Sequence, residues 1–83
     1  MEDIKQTIKN YILQEFLPGE DPANLTDSLQ LIRSGILDSL ARLKLVSYLE
    51  EHFAIQLAAH DASEANLNTI DSIVKLVQSK KQA

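Results

Sequence analysis

Cysteine is missing from this chain altogether. Without it there is no disulfide framework, no thiolate metal site and no cysteine nucleophile, so any thiol chemistry must come from an appended group. Positive charge is scarce too, with eight Lys and Arg against twelve Asp and Glu and a net charge of −4. Nucleic-acid binding needs clustered cations to displace counterions and is disfavoured, whereas proteins with basic patches are well-matched partners. No uncharged run is long enough to span a bilayer, and Met1-Glu2-Asp3 lacks the basic-then-apolar pattern of a secretion signal, which predicts a cytoplasmic location. There is no alternating strand pattern, no internal repeat and no low-complexity stretch. At 83 residues the chain has no room for a two-domain enzyme, and a single domain over residues 1–83 is expected. Its 45% apolar residues suffice for a small core, and its 24% charged residues argue against wholesale disorder.

The charge is uneven. Residues 17–38 hold Glu20, Asp21, Asp27 and Asp38 against Arg33 alone, four acids to one base, whereas residues 39–83 hold five of each. Apolar residues recur at Ile4, Ile8, Ile12 and Phe16, a helical stripe that predicts a first amphipathic helix over about 2–17. Pro18 and Gly19 end it. From 18 to 38 the pattern is irregular, with Pro22, Asn24 and Gly35 as punctuation and Leu25, Leu29, Leu31, Ile32 and Leu37 spaced to tuck into a core. A loop of that length in so small a domain is more often functional than idle.

Asp38-Ser39 is a helix start signal, because a short oxygen-bearing side chain there can accept from free N–H groups of the first turn. The second helix is predicted over about 39–53. Projected at about 100° per residue, Leu43, Val46, Leu49 and Phe53 share an arc with Leu45 at its border, and this arc is the expected core face. The opposite side holds Leu40, Ala41, Lys44, Ser47, Tyr48 and Glu51, which leaves Leu40 exposed beside the helix N-terminus. A short helical piece is expected over about 61–67. Thr69 reads as the N-cap of a last helix over about 70–79, in which Ile70, Ile73, Val74 and Val77 follow i, i+3, i+4, i+7 spacing and Lys80-Lys81 suit the C-terminal dipole. The fold class expected is an all-α bundle of three main helices plus one short helix, with a long loop between the first two.

Other polar clusters carry less. His52 and His60, beside Glu51 and Asp61, match no metal-ligand spacing and are expected on solvated surface. Glu50 and Glu51 are adjacent, hence about 100° apart on a helix, and cannot converge as a catalytic pair; they read as partner contacts or a solvated face. Lys75, Lys80 and Lys81 are too few for a nucleic-acid site. Glu2, Asp3 and Glu15 would repel an anionic membrane from the first helix, so no membrane partner is expected. No nucleophile and base constellation is present, and the chain is not expected to be an enzyme.

Gly35-Ile36-Leu37-Asp38-Ser39-Leu40, followed by Leu43, Leu45-Val46, Leu49-Glu50 and Phe53-Ala54-Ile55, resembles the acyl carrier protein family. The resemblance covers nearly the whole chain, including the long first loop and the threonine-capped last helix. It implies that Ser39 takes a covalent 4′-phosphopantetheine arm, installed by a phosphopantetheinyl transferase and loaded as a thioester by acyl- or aminoacyl-activating ligase or synthase enzymes. A phosphate on Ser39 would sit at a helix N-terminus, where free N–H groups and the dipole favour negative charge. Asp38, Leu40, Arg42, Lys44, Glu50 and Glu51 are the candidate partner-recognition residues, no metal is implied, and a monomer is expected. The class-level alternative is a non-covalent helical adaptor with the same core and no arm.

Two departures from the family pattern bear on cargo. Carriers of fatty-acid synthesis usually have acids two and five residues after the serine, where this chain has Ala41 and Lys44. Arg42 projects toward the apolar arc, where it could line the mouth of an acyl pocket or reach back to the loop. The spacing from Gly35 to Asp38 is one residue longer than in those carriers, and is similar to D-alanyl carriers and stand-alone carriers of specialised pathways.

Overall fold

The computed structural model describes residues 3–81. The stripe of isoleucines forms α1, Ile4–Phe16, which begins where the Asp3 carboxylate accepts from the Gln6 N–H at 3.2 Å. Residue 2, where the helix was expected to start, lies outside the described residues. The later elements are α2 (Ser39–Phe53), the one-turn α3 (Glu64–Leu67) and α4 (Ile70–Lys81), with 3-10 turns at Pro22–Asn24 and Ala59–Ala62. Among the described residues there is no strand, so the architecture is the all-α bundle expected. α4 is its hub, with α1, α2 and α3 all packed against it. Thr69 caps α4 by accepting from the Ser72 N–H at 3.1 Å.

The core takes Ile8 and Ile12 from α1, Leu45 and Leu49 from α2, and Ile70, Ile73 and Val77 from α4, all fully buried. Three more core residues, Leu25, Leu31 and Leu37, come from the segment between α1 and α2. That segment is tied at two places along its path, Asp27 and residues 31–33. The Leu31 N–H donates to the Asn68 carbonyl at 2.6 Å, and the Asn68 side-chain oxygen accepts from the Ile32 and Arg33 N–H groups at 3.0 and 3.4 Å. Arg33 pairs with Glu64 of α3 at 3.2 Å. Nearer α1, the Asp27 carboxylate holds Lys5 at 2.8 Å and Lys9 at 2.9 Å, while its carbonyl accepts from the Asp71 N–H of α4 at 3.2 Å. The Leu31, Ile32 and Arg33 N–H groups are thus satisfied by Asn68, between α3 and α4, while Leu29, Ser34, Gly35 and Leu37 donate to carbonyls within the segment.

The face of α2 differs from the projection. Leu43, expected in the core, is 67% exposed, and Ala41, expected on the outer side, is 7% exposed. The buried arc is Ala41, Leu45, Leu49 and Phe53, a strict i, i+4 series. Its centre lies roughly 140° from Leu43. The physical reason is helix periodicity: Ala41, Leu45, Leu49 and Phe53 advance by only about 40° per step, so burying that series turns Leu43 toward solvent. Tyr48 was also placed outside, but its ring stacks on Tyr11 of α1 with centroids 3.8 Å apart.

Asp61 departs from the solvated-surface expectation as well. It is 7% exposed, receives the Ala58 N–H at 2.9 Å and pairs with Lys80 at 2.9 Å. Lys80 and the Ala58 N–H hold its carboxyl below the usual carboxylate range against the opposing effect of desolvation. Lys80 therefore clamps α4 to the Ala59–Ala62 turn, and Lys81 lies 5.6 Å from the centre of the Phe53 ring.

Candidate functional site

Gly35 sets up the start of α2. Its φ of +87° lies in the left-handed region that side-chain-bearing residues avoid, and nothing would meet an added Cβ within 4 Å, so the glycine is there for backbone conformation rather than space. The turn buries Leu37, whose N–H donates to the Leu31 carbonyl at 2.9 Å, and delivers the next residue, Asp38, to the cap position. The Asp38 carboxylate accepts from the Ala41 N–H at 2.8 Å and its carbonyl accepts from the Arg42 N–H at 2.9 Å. Those two bonds leave the Ser39 and Leu40 N–H groups with no acceptor among the described residues. Ser39 is the first residue of α2 and exposed, with the positive end of a 15-residue helix behind it.

Around Ser39 the surface is unusually apolar. Leu40 is 62% exposed, as the helix projection requires, and Leu43, three residues on, is exposed to a similar degree. On one side of α2, Ser39, Arg42, Leu43, Val46 and Ala62 line a cleft of about 270 Å³ that runs toward the Ala59–Ala62 turn. On the other side Asp38, Leu40 and Lys44 face Glu15, Phe16 and Ile36 across a second cleft. Farther along, Leu43, Lys44 and Glu51 border a groove floored by Tyr11 and Tyr48, where the Tyr11 hydroxyl donates to the Lys44 carbonyl at 3.2 Å. Desolvation, with the nearby Glu15 charge, pushes the Tyr11 hydroxyl above its ordinary pKa and keeps it a donor at neutral pH.

The sequence-predicted residues separate into two groups. Asp38, Ser39, Leu40 and Arg42 come together within the first turn of α2, and Lys44 and Glu51 lie on its exposed side. Glu50 points elsewhere, because its carboxylate accepts from the Leu57 N–H at 3.0 Å and ties the segment after α2 back to the helix. Leu43 is the residue that pattern reading overlooked. The i, i+4 series from Ala41 to Phe53 was the signal that would have turned it outward.

The site offers an exposed hydroxyl, two unengaged N–H groups and a nearby guanidinium, with the one adjacent carboxylate, Asp38, engaged on the Ala41 N–H. That donor set fits a phosphate ester on Ser39. It offers no general base hydrogen-bonded to the serine and, among the described residues, no group of three metal-ligating side chains. Also among the described residues, no helix is long and apolar enough to cross a membrane.

Comparison with known proteins points the same way. Residues 8–77 match a family described as a phosphopantetheine attachment site. A D-alanyl carrier protein of Streptococcus suis (strain 98HAH33) is 32% identical over 72 residues, covering 87% of each chain. A probable acyl carrier protein, PigG, of Serratia sp. (strain ATCC 39006) is 31% identical over 78 residues, covering 94% of this chain and 88% of the relative. A D-alanyl carrier protein of Streptococcus mutans serotype c (strain ATCC 700610 / UA159) is 28% identical over 81 residues, covering 98% and 99%.

Proposed function

The chain belongs to the phosphopantetheine-attachment family of carrier proteins, and on that premise we propose that Ser39 bears the arm and presents an acyl or aminoacyl thioester to separate biosynthetic enzymes. Members of the family carry a covalent 4′-phosphopantetheine on a serine and are not themselves catalysts. When bound, the group supplies the thiol that this cysteine-free chain lacks. The observation that supports the reading best is the position of Ser39. It stands exposed at the first residue of α2, with Asp38 taking over the capping task that would otherwise occupy a serine hydroxyl there.

The finer reading is an aminoacyl or specialised acyl cargo handled by a dedicated ligase or synthase in the cytoplasm, with the carrier acting as a monomer. It draws on the D-alanyl carriers and the probable acyl carrier among the relatives and on Lys44. Fatty-acid carriers offer acids to basic enzyme patches, and an exposed Lys44 in their place would repel such a patch and slow encounter. Ala41 contributes differently from what its sequence position suggests, since its side chain is buried and no acid could stand there without desolvation. Leu40, Leu43, Lys44 and Glu51 form the surface a partner would meet.

Intact-mass measurement after co-expression with a phosphopantetheinyl transferase tests this. The chain should gain the mass of one phosphopantetheine, and Ser39→Ala should abolish the gain while keeping the helical circular dichroism. With Asp38 still in place, the variant should lose well under the ~1 kcal/mol of a missing cap. The holo protein should then be charged by an amino-acid- or acyl-activating ligase in preference to fatty-acid synthase enzymes. An unmodified parent would point to a non-covalent adaptor, and modification of Ser39→Ala would move the site to another residue.

A further inference from the structure

Taking Ser39 as the attachment point, we propose that Arg42 is a positioning residue for the arm: its guanidinium pairs with the phosphodiester formed on Ser39 and directs the arm into the cleft beside Val46 and Ala62. Arg42 lies three residues after Ser39, roughly 60° round the helix, and side chains on a helix lean toward its N-terminus. Residues so spaced are neighbours, about 5–6 Å apart at Cβ, which an arginine side chain spans. The two share one cleft, and Arg42 is half-buried in it.

Its charge is otherwise unanswered. Lys5, Lys9, Arg33 and Lys80 each hold a carboxylate, whereas the Arg42 guanidinium has no ion pair or side-chain hydrogen bond among the described residues. The acid closest in sequence, Asp38, has its carboxylate committed to the Ala41 N–H. A half-buried guanidinium has lost part of its hydration without a partner to compensate it. A phosphodiester on Ser39 brings one negative charge next to Asp38, a like charge, and Arg42 is the cation on the same side of the helix to offset it. Lys44 is roughly 140° round from Ser39 and faces Glu15 and Asp38 in the other cleft, so it is less suited. The rest of the Arg42 cleft is Leu43, Val46 and Ala62, an apolar wall for the carbon-rich length of the arm. The cargo sits at the far end of that arm, which leaves the phosphodiester as the anion within reach of Arg42.

Two readouts on apo and holo protein test this, neither of them activity. In the parent, attachment should shift the Arg42 Nε–Hε resonance and slow its exchange with water. The melting temperature of the holo form relative to the apo form should be about 2–6 °C more favourable in the parent than in Arg42→Gln at low salt, and this gap should shrink at high salt. Lys75→Gln, which removes an exposed charge on α4, should leave the parent's holo–apo difference intact. Intact mass separates the two possible failures. If no phosphopantetheine is gained on Ser39, the attachment reading falls and the role of Arg42 with it. If the mass is gained but the resonance does not move and Arg42→Gln shows the parent's holo–apo difference, Ser39 stands and the Arg42 pairing is overturned.

Discussion

The segment between α1 and α2 and the first turn of α2 are opposites in regularity and in freedom. The segment has one short 3-10 turn and is otherwise irregular, yet its leucines are in the core and its backbone is bonded to Asn68 and Asp71. The start of α2, Ser39 to Leu43, is regular helix, yet it leaves a hydroxyl, two N–H groups, a guanidinium and two leucines uncommitted. Irregular backbone is thus the constrained part of this molecule, and the helix end is the part kept available. The two are linked mechanically. Gly35, Leu37 and Asp38 finish the segment and begin the helix, so the anchoring of one fixes where Ser39 stands.

The largest expected effect comes from removing that anchoring. Leu31 is fully buried and its N–H makes the 2.6 Å bond to Asn68. Leu31→Ala should cost about 2–5 kcal/mol, the range for a buried leucine that leaves a cavity, measured by urea or thermal unfolding of the apo form. A cost below about 0.5 kcal/mol would mean that the segment is a loose loop after all, and the contrast with α2 would fail.

Acid should loosen the segment by a smaller amount. Hydrogen bonds and charge from Lys5 and Lys9 hold the Asp27 carboxyl below its ordinary value of 3.8. A carboxylate whose folded pKa is depressed contributes stability that is present above the unfolded pKa and lost as pH falls through the folded one. Stability should therefore drop below about pH 4, with Asp61 adding to the same limb because Lys80 depresses it likewise. Asp27→Asn should lower the neutral plateau and flatten the acid limb. Lys5 is raised by the same pairing, so its share persists below 10.5 and is lost only as pH rises beyond it. An acid limb unchanged in Asp27→Asn would show that the ion pairs do not anchor the segment.

Much of the bundle was legible because periodicity is local. Ile4, Ile8 and Ile12 announce α1, Asp38 announces a cap, and Thr69 another, each from residues within one or two turns. The anchoring was not legible, since Asn68 meets the Ile32 N–H across 36 residues and Lys5 meets Asp27 across 22. Nothing in the composition of 18–38 says which side chain will satisfy a given backbone group. The face of α2 was misread for another reason. The expected and the buried arcs share Leu49 and Phe53, and alanine is a weaker apolar signal than leucine, so the pattern favours Leu43 where the fold buries Ala41.

The smallest expected effect on stability, and the one that most sharpens the contrast, is at Leu40. With 62% of its surface in water it has little burial to lose, so Leu40→Ala should change stability by no more than about 0.5 kcal/mol. An exposed leucine beside Ser39, the proposed attachment residue, is nevertheless costly to hydrate, and a partner that covers it gains what the fold does not. Leu40→Ala should accordingly slow phosphopantetheine transfer or thioester loading several-fold, read as a fall in kcat/KM, while unfolding curves overlay the parent. Leu43→Ala tests the neighbouring position with the same pair of measurements and should also spare stability, because its 67% exposure puts it outside the core. If either variant instead unfolds as readily as Leu31→Ala, the first turn of α2 is packing surface like the segment before it, and the distinction between an anchored loop and an available helix end disappears.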